Sequence, residues 1–234
     1  MSETRLHILS THAVMELLRA LRPELERASG SALAVSYDPT QALKRRIAEG
    51  AAFDLVIATR EALDELARAG KVVAESRRAL ARSGLGVSVR KGAAKPEIGT
   101  PDAFKAALLG ASSVVRSAEG ASGRYFEELL ERLGIAQALR GKIILGPSGR
   151  VAELVARGEA ELAVQQTSEL VPVAGADYVG PFPPELQHYT IFAAGIASAS
   201  KEARRAAALI AALAAAPREL LAAKGLEPVN GGGR

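Results

Sequence analysis

This chain contains no cysteine, which excludes disulfide stapling, thiolate catalysis and cysteine-ligated metals together. Its 3 histidines, His7, His12 and His188, are too few and too scattered for a histidine-rich metal centre. Tryptophan is absent and aromatic residues make up 4% of the chain. No Lys/Arg block interleaves with aromatics, so nucleic acid is not an expected partner. Long apolar runs are missing too. The longest, Ala206–Ala216, lies between Arg204-Arg205 and Pro217 and is too short to span a bilayer, so no membrane insertion is expected. Phosphate-binding glycine loops, dinucleotide fingerprints and a Ser/His/Asp arrangement are also absent. Neither a metal nor a cofactor is expected.

What is present suits a large α/β protein. The 234 residues are 48% hydrophobic, enough for one large domain or two lobes of roughly 100–120 residues each. A formal net charge of +4 weakly favours a small anionic ligand. Short, nearly continuous apolar runs such as Leu55-Val56-Ile57, Gly86–Val89 and Ile143-Ile144-Leu145 read as strands covered on both faces. Amphipathic segments separate them, Val14–Ala28 and Ser122–Leu133 among them. Thr100-Pro101-Asp102 reads as a helix start, with a capping hydroxyl followed by proline.

Several strands end in Ser, Thr, Gly or Gln just before a helix. Ser10-Thr11-His12 follows the first strand, Tyr37-Asp38-Pro39-Thr40 the second, Ser117–Arg124 the strand ending at Arg116, and Gln165-Gln166-Thr167 the strand Leu162–Val164. Ligands in open α/β sheets bind outside the carboxyl ends of strands, where helix N-termini present free N–H groups. The candidate ligand-binding residues are therefore Ser10, Thr11, His12, Thr40, Arg60, Arg116, Ser122, Gly123, Gln165 and Gln166. Arg82 and Ser148-Gly149-Arg150 are lesser candidates. Strand alternation sends one of Gln165 and Gln166 into the crevice and the other away. Helix capping alone would account for one hydroxyl at each turn. For catalysis, His12 and Asp38 are the candidates, with Glu169 a further acid, because an imidazole exchanges protons near neutral pH.

Two glycine-flanked extended runs, Ser83–Val89 and Tyr189–Ile196, bracket a block of βα units. They predict a discontinuous first lobe, residues 1–82 with 197–234, and a second lobe, residues 83–196, with hinge crossovers near 83–89 and 189–196. The start, Met-Ser-Glu-Thr-Arg, runs directly into a strand. The expected location is periplasmic if a leader has been removed and cytoplasmic otherwise. The tail Gly231–Arg234 reads as a flexible end.

These segments resemble the type II periplasmic solute-binding proteins, in particular the molybdate-binding branch. The residues carrying the likeness are Ser10–Val14, Ser36–Gly50, Phe53–Ala58, Ala121–Phe126 and Gly158–Gln166. The resemblance implies a two-lobed fold with mixed, mostly parallel sheets and two crossover strands. It implies a monomer that closes over a small oxyanion or organic acid and delivers it to an ABC-type permease. Three turns depart from the molybdate pattern: Ser-Thr-His at the first, Asp38 in the second, and Gln165-Gln166 in place of a tyrosine at the last. The last run is similar to the related aconitate isomerase group. A small organic acid is thus the expected ligand, with an isomerase acting on a tricarboxylic acid by proton transfer as the alternative and a cytoplasmic ligand sensor as a third reading.

Overall fold

The computed structural model describes residues 5–229. The tail Gly231–Arg234 lies outside them. The chain forms two compact units, one made of residues up to Arg82 together with those from Thr190 on, the other of Ser83–Tyr189.

The first unit runs β1 (Arg5–Ser10), α1 (Met15–Ser29), β2 (Ala32–Tyr37), α2 (Thr40–Ala48), β3 (Leu55–Thr59), α3 (Arg60–Arg68) and β4 (Arg78–Ser83). Strand β4 ends on Ser83, the first residue of the other unit. The second unit runs β5 (Leu85–Arg90), α4 (Pro101–Gly110), β6 (Val114–Ser117), α5 (Ala121–Arg132), α6 (Ala136–Leu139), β7 (Ile143–Gly146), α7 (Val151–Ala156), β8 (Leu162–Gln166), α8 (Thr167–Leu170) and β9 (Ala176–Pro181). The chain then returns to the first unit as β10 (Thr190–Ile196), α9 (Ala203–Ala214) and α10 (Arg218–Ala223).

Each unit holds one mixed five-stranded sheet, in the order β2-β1-β3-β10-β4 in the first and β7-β6-β8-β5-β9 in the second. In the first, β1 runs parallel to β2 and β3, while β10 pairs antiparallel with β3 from Phe192 opposite Thr59 to Ile196 opposite Leu55. In the second, β6 runs parallel to β7 and β8, and β5 is antiparallel to both β8 and β9.

The apolar runs are explained by burial on both faces. In the first sheet, Leu6, Ile8, Leu55, Ile57, Phe192 and Ala194 face one core with α1 and α9. Leu9, Val56, Ala58 and Ala193 face another with α2 and α3. In the second sheet, Val87, Val114, Leu162 and Val164 pack under α4 and α5. Val115 and Ala163 pack under α7. The few aromatics concentrate here: the Phe182 ring lies 4.6 Å from that of Phe104 and 6.2 Å from that of Phe126. The expected cap on α4 is present, with Thr100 Oγ1 accepting from Ala103 N–H at 3.2 Å ahead of Pro101.

One sequence expectation needs correction. The run of glycine-flanked apolar residues assigns 190–196 to the second lobe, but all of β10 belongs to the first unit and its sheet, so the change of unit falls between Tyr189 and Thr190. An apolar strand carries no mark of which sheet it joins; its partner β3 decides that. Just before residue 83, Arg78–Ser83 forms edge strand β4 beside β10. There the charged side chains can reach water while Leu80 and Ala81 are buried.

Candidate functional site

In the first unit, the carboxyl ends of parallel strands β2, β1 and β3 lie side by side, each leading into a helix. Ser10 and Thr11 are buried at the end of β1, and Thr11 N–H donates to Ile57 O at 2.9 Å. Ser10 Oγ donates to Thr11 O at 3.1 Å. His12 opens a short 3-10 turn, with its ring 6.3 Å from that of Tyr37. Asp38 N–H donates to Ser10 O at 3.1 Å, which ties the second turn to the first. Thr40 and Arg60 are the first residues of α2 and α3. Pro39 and Thr59 hold the capping positions, and Thr59 Oγ1 accepts from Ala62 N–H.

Asp38 is not the isolated carboxylate that the sequence presents. It is ion-paired with Arg46 on α2, which also donates to Ser36 Oγ at 3.3 Å. Arg82 is similarly committed, with two nitrogens on Glu227 Oε2 at 3.0 and 2.8 Å.

In the second unit, the ends of β7, β6 and β8 form a comparable edge. Ser117 Oγ lies 2.6 Å from Ser148 Oγ and accepts from Gly120 N–H at 2.9 Å, so the turns after β6 and β7 are joined. Ser122 and Gly123 are buried in the first turn of α5. Gly123 is there for a steric reason. A Cβ at this position would stand 2.0 Å from Ser117 O, so the helix can approach the strand end this closely only without a side chain.

Arg116, at 8% exposure, lies beneath this turn. Its Nη1 donates to Ser117 O at 3.1 Å and its Nη2 is 3.1 Å from Glu127 Oε2 on α5. Sequence reasoning singled out Arg116 and named Ser117 only as the start of the turn, and it did not pick out Glu127. Glu127 stands four residues after Gly123, one helical turn on and on the same side of α5. Its charge alone does not distinguish it from the other acids of that helix.

Gln165 and Gln166 point to opposite faces of β8, as strand alternation requires. Gln166 shares the face of Val164, under α5, and Gln165 that of Ala163, under α7. Both are buried. Gln165 is hydrogen-bonded to Glu169, and its Oε1 and Ser88 Oγ, on the same face, are buried without a partner. The cross-strand partner of Gln165 is Gly86, and the missing side chain there makes room for the Tyr178 ring.

Burial pushes the Glu169 carboxyl up to about 8, and the Gln165 hydrogen bond only partly opposes this. The folded state therefore retains a proton that the unfolded chain releases at ordinary carboxyl pKa. The resulting stability is complete below about pH 4.5 and is lost as pH rises through about 8. Glu169→Gln is expected to flatten this slope and to be more stable than the parent at pH 8.5 by about 2 kcal/mol. The full linkage would be larger but is reduced because the side chain is partly exposed. Urea unfolding at pH 5.5, 7 and 8.5 checks this; parallel stability curves for the two proteins would remove Glu169 as the titrating group.

Among the described residues there is no cluster of three side chains able to hold a metal ion, and no helix is long and apolar enough to cross a membrane.

Known proteins share both the sequence and the architecture. An aconitate isomerase from a Pseudomonas species is 36% identical over 233 residues, covering 97% of this chain and 88% of that protein. The periplasmic molybdate-binding protein of Azotobacter vinelandii superposes with a TM-score of 0.80 at 19% identity, covering 96% of this chain and 100% of that one. The sulfate-binding protein SubI of Mycobacterium tuberculosis superposes with a TM-score of 0.72 at 18% identity, covering 97% of this chain and 88% of that one. At these identities the two structures establish the fold, that of the two-lobed type II periplasmic binding proteins. The sequence pattern of one family matches residues 6–227, nearly the whole chain, and this protein belongs to that family, the bacterial extracellular solute-binding proteins.

Proposed function

We propose that this protein binds a small organic acid carrying two or three carboxylates and serves as the binding component of an ABC-type transporter. The observation that carries the reading is the buried guanidinium of Arg116 beside the glycine-opened N-terminus of α5. A positive charge next to free N–H groups favours an anion. Planar donors such as guanidinium and amide match a carboxylate edge in two-point fashion. Gln166, buried on the same face of the sheet as Arg116, extends that donor set. Family membership supports solute binding, and the relative named for aconitate supports an organic acid over molybdate. Transport would require export, which would place the protein in the periplasm.

A thermal-shift panel of molybdate, sulfate, dicarboxylates and tricarboxylates tests the reading. A ligand at 100 times its Kd adds about 2.7 kcal/mol of stability. The carboxylic acids are expected to raise the unfolding midpoint and the tetrahedral oxyanions to do so less. The reverse order would reject the organic-acid reading.

A second reading, isomerisation of aconitate, is favoured by the 36% identity to an aconitate isomerase over 97% of this chain. In that reading His12, at the end of β1, carries the proton. Asp38 is the weaker candidate because Arg46 already engages its carboxylate. Incubation with trans-aconitate, followed by chromatography for the cis isomer, decides the matter. No product after hours with micromolar protein removes this reading and leaves the binder.

A further inference from the structure

The pairing of Arg116 with Glu127 is asymmetric. The arginine side chain is 10% exposed and the glutamate side chain 64% exposed. Glu127 can keep most of its hydration without the pair, whereas Arg116, taken out of water, needs a compensating charge. Its other contact, the Ser117 carbonyl, is neutral. The N-terminus of α5 adds a further partial positive charge at the same turn. Glu127 thus sets a full negative charge against two positive contributions, and it is held 3.1 Å from the guanidinium.

We propose that Glu127 is a specificity-determining residue whose carboxylate offsets part of the Arg116 charge and so sets the valence of the acid that this turn holds. The inference rests on the reading of the turn as an acid-binding site. The interaction between Glu127 and a bound anion is a repulsion that grows with each charge the ligand carries. Removing it strengthens binding of a trianion more than of a dianion, and the gain is largest at low ionic strength, where an exposed charge is least screened.

The test compares the parent protein with Glu127→Gln and Glu127→Asp by calorimetry, using tricarballylate and succinate as probes at low and high salt. Glu127→Gln is expected to tighten binding by roughly twofold per ligand charge, so about eightfold for tricarballylate and about fourfold for succinate at low salt. The difference should shrink at high salt. Glu127→Asp, which keeps the charge, should match the parent. An equal change for both acids, no change, or weaker binding in Glu127→Gln overturns the proposal, because a merely structural role would not alter valence preference. If the parent binds neither acid, the organic-acid reading fails by itself. The same comparison with sulfate against nitrate then decides the role of Glu127, and binding of no anion at all by either protein overturns both.

Discussion

Replacing Gly123 by alanine is expected to lower stability by about 3 kcal/mol and to weaken anion binding at least tenfold. The added Cβ would stand 2.0 Å from the carbonyl oxygen of Ser117, far inside contact distance, and 3.4 Å from Arg116 Nη1. A side chain in the way can rotate; a backbone carbonyl at the end of a hydrogen-bonded strand cannot. Helix α5 must therefore withdraw from β6. That movement pulls its N–H groups away from the turn and stretches the ion pair between Arg116 on β6 and Glu127 on α5. Urea unfolding and calorimetry with the acids above report the two effects separately. A control substitution should show the opposite sign. At Gly110, the last residue of α4, an added Cβ would meet nothing within 4 Å. Gly110→Ala is expected to be neutral or to gain up to about 1 kcal/mol through helix propensity. If Gly123→Ala behaves like Gly110→Ala, the close approach of α5 to β6 is not what shapes this turn.

His12→Asn is expected to separate the binding and isomerase readings by its effect on turnover. Converting trans- to cis-aconitate requires a proton to leave the methylene carbon, the double bond to shift, and a proton to return at the former vinyl carbon. One group can do both only if it exchanges protons near the working pH, and imidazole is the natural choice. In an isomerase, asparagine at position 12 should lower kcat by roughly 10²–10⁴-fold while leaving affinity within a few-fold, since the amide can still donate a hydrogen bond. In a binding protein, turnover is absent in both forms and only the modest affinity change remains. Product formation is followed by chromatography, and affinity by calorimetry with tricarballylate. Full activity in His12→Asn would require another residue as the proton carrier. The Asp38–Arg46 pair makes Asp38→Asn the informative second variant, because it also frees the guanidinium.

The α/β character of this chain was legible in its sequence because strands buried on both faces must be apolar at nearly every position. Leu55–Ile57 and Leu162–Val164 show this, their alternate residues reaching different cores. The turns after β1, β2, β6 and β8 were legible too, since polar residues that end an apolar strand have few other places to be. The cap at Thr100-Pro101 follows from local chemistry alone and needs no tertiary partner. The sheet that β10 joins was decided by long-range pairing, which leaves no local trace. The same holds for the edge strand β4, whose arginines disguise it. At the candidate site, residue types were visible but their commitments were not. Asp38 is ion-paired with a residue eight positions on, and Arg116 with one eleven positions on and across a turn. Gln165 differs from Gln166 only in which face of β8 it occupies. An ion pair depends on distance and on water removed from both partners, and those quantities exist only once helices and strands have packed.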